Sequence, residues 1–261
     1  MDYGIPTLIE LKSLEDCAAL CKALDFQFVE LNMNLPEYQT DRIDADEFAQ
    51  IACQHRIYYT IHLDENLNPC DFNDRVANAY TDTVLHTIEL AKQLRIPVLN
   101  MHLSKGVYFT LPEKKVFLYD RYMDIYLDKL TTFRDRCEKA IDEADIKICI
   151  ENTNGYDKEF LQNALALLLE SKAFALTFDI GHNAVIGGGD EKVIMDYKNK
   201  LCHMHIHDVA GKSNHLPLGA GELELSKYFY LAKTQNCRVV LETKTVAGLK
   251  ESVEWVKRKD R

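Results

Sequence analysis

The sequence predicts a single (β/α)₈ barrel, and three observations support this prediction. Short apolar segments alternate along the chain with longer amphipathic segments, eight of each, which implies parallel strands joined by right-handed crossovers. The 261 residues match one barrel, since this fold typically needs about 250 residues. No Gly-x-Gly-x-x-Gly follows the first segment, which counts against a dinucleotide-binding sheet. We therefore expect one domain spanning residues 1–261.

The order of the elements follows from the apolar periodicity. The predicted strands are 3–5, 27–31, 58–63, 97–102, 147–151, 175–179, 202–207 and 239–242. The predicted helices are 13–24, 45–55, 72–95, 114–144, 157–171, 190–199, 224–235 and 246–258.

The composition limits the classes of function. A net charge of -10 repels phosphate backbones and argues against nucleic acid as a partner. The eight cysteines occur singly, without a Cys-x-x-Cys pair, as in a reduced cytoplasmic protein without a cysteine metal cage. No apolar run approaches the roughly 18 residues of a membrane span, and no signal peptide is expected at the N-terminus.

Chemistry-bearing side chains stand at the ends of six successive predicted strands, the third to the eighth. They are His62, His102, Glu151, Asp179, the three histidines at 203, 205 and 207, and Glu242. The carboxyl ends of barrel strands surround one mouth, where barrel enzymes place their active sites. Residues far apart in sequence should therefore meet in one small volume.

This convergence indicates a divalent metal site. A single strand-end histidine or glutamate is ordinarily a hydrogen-bonded rim residue, but six independent strand ends are hard to explain in that way. Burying several carboxylates together without a cation would be very costly. Mixed imidazole and carboxylate ligands suit Zn²⁺ or Mn²⁺, and also Co²⁺ or Fe²⁺. His203, His205 and His207 share one strand face, and periodicity alone does not choose between them.

The same residues form a series of motifs that resembles a known family. The motifs are Glu151-Asn152, Asp179-Ile180-Gly181-His182, His205-Ile206-His207-Asp208, His215 to Leu223, and Leu241-Glu242-Thr243. Their order resembles the xylose isomerase-like barrel superfamily. That group includes sugar and sugar-phosphate isomerases and epimerases, and the endonuclease IV-type abasic-site endonucleases (AP endonuclease family 2).

The resemblance assigns roles residue by residue. It makes Glu151, Asp179, His205 and Glu242 the ligands of the principal metal, and so selects His205 among the three histidines of its strand. Four further histidines match extra metal ligands of the multi-zinc endonucleases, although similar histidines also occur in isomerase-like members: His62, His102, His182 and His215. One ion is expected, and these histidines allow two or three.

The first functional hypothesis is a metal-dependent isomerase or epimerase acting on a sugar, a sugar phosphate or a polyol-derived ketone. Glu151 and Glu242 approach from opposite sides of the mouth, so one can remove a substrate proton while the other returns one. His182 would hold a substrate hydroxyl, Lys244 would attract a phosphate if there is one, and His62 is a further candidate for substrate contact. The expected partner is a small carbohydrate, with no membrane, and such barrels often pair as homo-oligomers.

The alternative is a phosphodiesterase that uses two or three zinc ions on abasic DNA. The number of histidines fits it, whereas the acidic charge does not. The endonucleases also place an aspartate two residues before the match to His215, where this chain has Ser213, so a third zinc would lose a ligand. The remaining possibilities are a lyase, a dehydratase and a non-catalytic binding protein.

Overall fold

The computed structural model describes residues 1–153 and 155–259 and contains a closed barrel of eight parallel strands. Its strands are β1 (Asp2–Pro6), β2 (Phe28–Asn32), β3 (Tyr58–His62), β4 (Val98–His102), β7 (Lys147–Glu151), β8 (Phe174–Asp179), β9 (Leu201–Ile206) and β12 (Arg238–Leu241). Each pairs with the next barrel strand along the chain, and β12 closes the barrel on β1. The predicted (β/α)₈ fold is confirmed.

Two short antiparallel hairpins lie in loops that follow barrel strands, on the carboxyl side. The first consists of β5 (Tyr108–Thr110) and β6 (Lys115–Phe117), and the second of β10 (Asp208–Ala210) and β11 (Ser213–Leu216). They follow β4 and β9, so they stand on the side of the barrel where the strand-end side chains meet.

The described part of the chain forms ten α-helices, which lie in the connections between the barrel strands and after β12. They are α1 (Leu14–Ala23), α2 (Ala45–His55), α3 (Asp74–Leu94), α4 (Leu118–Arg121), α5 (Met123–Ile141), α6 (Glu159–Leu169), α7 (Ile180–Val185), α8 (Glu191–Asp196), α9 (Leu225–Thr234) and α10 (Val246–Lys259). The side chains of Ser13, Asp44 and Asn73 cap α1, α2 and α3 by accepting backbone N–H groups. No helix in the ranges 1–153 and 155–259 is long and apolar enough to span a membrane.

The predicted helix 114–144 is wrong at its beginning. Residues Lys115–Phe117 form a hairpin strand, and helix begins only at Leu118, with an interruption at Tyr122. Pro112 lies in the turn of this hairpin, where a helical N–H is not needed. The predicted helix 190–199 is also shorter, since α8 ends at Asp196 and a 3₁₀ turn follows.

The pairing of the barrel strands sets which side chains share the interior. His102 lies opposite Glu151, and Asp179 lies opposite His205. The register between β8 and β9 shifts between Leu176 and Thr177. Because a shift of one residue turns a strand's side chains to the other face, this irregularity brings Asp179 to the same face as His205.

Candidate metal centre

The four residues expected to bind the principal metal come together around one atom, Nδ1 of His205. This nitrogen lies 3.3 Å from Glu242 Oε2, 3.7 Å from Glu151 Oε2 and 3.8 Å from Asp179 Oδ2. Three carboxylates from three other strands therefore face one imidazole nitrogen, as the strand-end argument anticipated.

The chemistry of this cluster fits a divalent cation. His205 Nδ1 and Glu242 Oε2 are buried and lack a hydrogen-bond partner within the described ranges. Burial disfavours a charged His205 ring, but the carboxylates of Glu30, Glu151 and Glu242 outweigh it and raise the pKa of His205 well above its ordinary value. Burial likewise disfavours a charged Glu242, yet His205 and its other neighbours lower the pKa of Glu242 well below its ordinary value. The three carboxylates thus favour a positive charge at this point, either a proton on His205 or a bound cation.

Glu30 is a buried acid that the pattern of strand-end residues does not include. It lies in the middle of β2, 2% exposed, with Oε1 2.9 Å from His205 Nε2. Its Oε2 accepts hydrogen bonds from His203 Nε2 at 2.9 Å and from Thr60 Oγ1 at 3.1 Å. A carboxylate behind a ligand histidine fixes which ring nitrogen carries the proton, so Glu30 favours a free electron pair on His205 Nδ1. In the sequence, a charged residue inside an otherwise apolar strand is the feature that could have indicated Glu30.

The three alternate histidines of this strand, His203, His205 and His207, lie at successive depths along the barrel interior. His203 is the deepest and bonds to Glu30, while His207 Nε2 lies 3.2 Å from Asp179 Oδ1. Among the three, His205 is the ring whose nitrogen meets Glu151, Asp179 and Glu242 together. His205 is also the histidine that the family resemblance selects, and its role as a ligand stays a prediction.

A second cluster adjoins the first through Glu151. Oε2 of Glu151 lies 3.5 Å from His62 Nε2 and 3.4 Å from His102 Nε2, and the side-chain amide of Asn100 donates to it. His62 Nδ1 donates to the Leu63 carbonyl at 2.8 Å, because a carbonyl can only accept. A neutral His62 therefore turns a lone pair towards a carboxylate oxygen, a contact that needs a proton or a metal ion between the two atoms.

The remaining predicted residues lie at the rim of these clusters. His182 Nε2 is 3.8 Å from Asp179 Oδ2, and His215 Nε2 is 3.5 Å from Glu242 Oε1. Each ring contacts the principal cluster from outside, at 24% and 20% side-chain exposure. Ser213, where the endonucleases have an aspartate, is exposed.

Asn152 holds the backbone of the strand that carries Asp179. Its side chain exchanges two hydrogen bonds with this residue, donating to the Asp179 carbonyl at 3.0 Å and accepting from the Asp179 N–H at 2.8 Å. The Glu151-Asn152 pair thus supplies one side chain to the cluster around His205 and a second to the neighbouring strand end.

A cavity of about 440 Å³ opens beside the cluster. Its wall includes His62, Glu242 and Lys244, and also the polar side chains of Asn32 and Glu65. Lys244 Nζ lies 2.7 Å from Glu242 Oε1. This volume is sufficient for a small ligand, whose atoms would touch Glu242 before they reach the more deeply buried Glu151.

Comparison with known proteins places the chain in a family. Methanocaldococcus jannaschii protein MJ1311 is 26% identical over 280 residues, with 99% of this chain and 92% of that protein covered. A D-tagatose 3-epimerase-like protein has a TM-score of 0.76 at 22% identity, covering 100% of both chains. The IolI protein with a bound zinc atom has a TM-score of 0.72 at 18% identity, covering 100% of this chain and 96% of that one. Residues 18–259 match the family described as "Xylose isomerase-like TIM barrel", and the chain belongs to this family.

Proposed function

We propose that this chain is a divalent-metal-dependent isomerase or epimerase of a sugar or a related polyhydroxy ketone. The observation that carries the proposal is the pair of carboxylates, Glu151 and Glu242, facing one histidine nitrogen beside a ligand-sized cavity. The structural relatives described as a D-tagatose 3-epimerase-like protein and as zinc-bound IolI support it.

The principal ion, Zn²⁺ or Mn²⁺ with Co²⁺ and Fe²⁺ as substitutes, would be held by Glu151, Asp179, His205 and Glu242. When bound, such an ion polarises a carbonyl and acidifies the neighbouring C–H group. The unpartnered nitrogen of His205 and oxygen of Glu242 support this assignment.

Glu242 is the better placed of the two carboxylates to remove a substrate proton. It is 13% exposed and lines the cavity, whereas Glu151 is 2% exposed and is enclosed by histidines and by Asn100. Glu151 stands three strands away around the ring, so it approaches the same carbon from the opposite side. Proton removal on one face and return on the other is the requirement of epimerisation.

The cavity favours an unphosphorylated substrate. Its lysine, Lys244, is already ion-paired with Glu242, and a phosphate would have to break that pair. Glu65 adds a carboxylate to the same wall. His62 and His182 would then contact hydroxyl groups of a free sugar.

The test is proton exchange in deuterated water with a panel of ketoses and each of the four metals. We expect deuterium to enter the carbon next to the carbonyl, with an epimer or an aldose formed at a metal-dependent rate. Absence of exchange across the panel, together with cleavage of an abasic-site oligonucleotide, would replace the proposal by the phosphodiesterase alternative.

One feature favours that alternative as the second candidate. The cluster of His62, His102 and Glu151 brings three ligand-type groups to within 4.8 Å of one another, which suits a second ion. The net charge of -10 and the serine at 213 count against it.

A further inference from the structure

We propose that His207 is a positioning residue that orients the Asp179 carboxylate for the principal metal, and that it binds no ion itself. The inference rests on the proposed metal site. It concerns the cluster of His182, His207 and His215, whose composition alone would also suit a third ion.

The protonation of the His207 ring follows from its two contacts. The backbone N–H of His215 donates to His207 Nδ1 at 3.1 Å, so this nitrogen carries the lone pair. The proton of the neutral ring is therefore on Nε2, which lies 3.2 Å from Asp179 Oδ1 and 3.3 Å from Oδ2. Both nitrogens of this fully buried ring are occupied, and neither has an electron pair left for a metal.

The conformation of the hairpin β10–β11 places the backbone N–H of His215 against His207 Nδ1. His215 has φ 56°, in the left-handed region that non-glycine residues rarely adopt. This backbone directs its N–H at His207, and the two rings stack with centroids 4.3 Å apart and planes 20° apart. Strained backbone of this kind persists where the surrounding structure enforces it.

Gly181 makes room for the same ring. A Cβ atom at this position would lie 1.8 Å from Cε1 of His207, so a larger residue would displace the imidazole from Asp179. The glycine of the Asp-x-Gly-His motif is thus explained by a histidine 26 residues later in the chain.

These contacts hold both oxygens of the Asp179 carboxylate. Oδ1 accepts the backbone N–H of His182 at 2.6 Å, and His207 Nε2 lies 3.2 Å from Oδ1 and donates to Oδ2 at 3.3 Å. Oδ2 also faces His205 Nδ1, 3.8 Å away, with its second electron pair left for a metal. Partners of this kind behind a metal ligand typically contribute 10–100-fold to metal affinity.

Two substitutions separate the contacts of His207. In His207→Asn the side-chain oxygen can still accept the His215 N–H, but no group reaches Asp179. In His207→Gln the terminal amide can donate to Asp179. We expect His207→Asn to weaken Co²⁺ binding about 10–100-fold, measured by competition with a chelator, and to alter the Co²⁺ absorption spectrum. His207→Gln should remain within a few-fold of the wild type in both measurements.

Thermal unfolding of the metal-free variants shows whether they fold. Gly181→Ala is a second test of the contact between His207 and Asp179, because the added methyl group would displace the His207 ring. We expect this variant to bind Co²⁺ more weakly. Equal weakening in the Asn and Gln variants, or wild-type affinity in the Asn variant, would overturn the proposal. Metal affinity is measured without substrate, so failure of the wild type to exchange any sugar proton would refute the proposed function and leave this inference standing.

Discussion

The substitution Glu242→Gln is the sharpest test of the proposed chemistry. The amide keeps one oxygen for the metal and the volume of the side chain, but it cannot accept a substrate proton. Loss of the ion pair with Lys244 costs little, because the Lys244 side chain is 59% exposed and such ion pairs contribute at most about 1 kcal/mol. Loss of a general base costs about 10²–10⁴-fold in rate, or roughly 2.7–5.4 kcal/mol in the barrier. The two effects differ enough to be separated.

The assay is deuterium incorporation from solvent into a ketose that the wild type accepts, followed by NMR at saturating metal. Exchange should fall by at least about 100-fold, while the unfolding midpoint remains close to that of the wild type. Glu251→Gln, the same change on the exposed surface of α10, is the matched control and should exchange at the wild-type rate. Exchange by Glu242→Gln within tenfold of the wild type at full metal occupancy would refute its assignment as the base.

Four further predictions concern the metal. His205→Ala should abolish tight binding of the principal ion, as measured by metal analysis after dialysis, and retention of one ion per chain would contradict the assigned ligand set. His62→Ala should remove a second ion if the wild type holds two, and unchanged stoichiometry would confine His62 to contact with the substrate. Burial disfavours a charged His62, but Glu151 outweighs it and raises the pKa of His62 to about 9. A metal at His62 must therefore displace a proton below pH 9, and its affinity should rise about tenfold per pH unit up to that value, which titration calorimetry can follow. Glu30→Gln should weaken binding of the principal ion about 10–100-fold, because the amide can donate as well as accept and no longer fixes the proton on His205 Nε2.

The barrel and the principal cluster could be predicted because they depend on local patterns. Eight apolar segments with helical segments between them define the topology, and topology alone brings the strand ends to one mouth. Glu151 and Glu242 are conspicuous in the sequence because each ends an otherwise apolar strand. The type and order of these residues were enough to expect the cluster that surrounds His205.

The contacts behind the cluster could not be predicted from spacing. Glu30 lies in mid-strand, and only the closed barrel brings it to within 2.9 Å of His205, which is 175 residues away in the chain. The hairpin after β9 is another case. Asp208 accepts the N–H groups of Gly219 and Gly221 at 2.9 and 3.0 Å, and a Cβ atom at Gly221 would lie 2.3 Å from its carboxylate. These glycines belong to one of the motifs that resemble the family. They are needed at these positions because Asp208 lies against them, a contact that the sequence pattern does not identify.

The position of Glu151 links the number of metal ions to the reaction. Oε2 of this residue is shared by His205 of the principal cluster and by His62 and His102 of the second. If only the principal cluster held an ion, Glu151 would still have electron pairs with which to take or give a proton. A second ion held by His62 and His102 would also draw on Glu151, which would then lose its role in proton transfer. Under the proposed function, proton exchange on two faces would require the singly loaded protein, and saturating the second cluster should suppress epimerisation while it favours the activation of water that a phosphodiesterase needs.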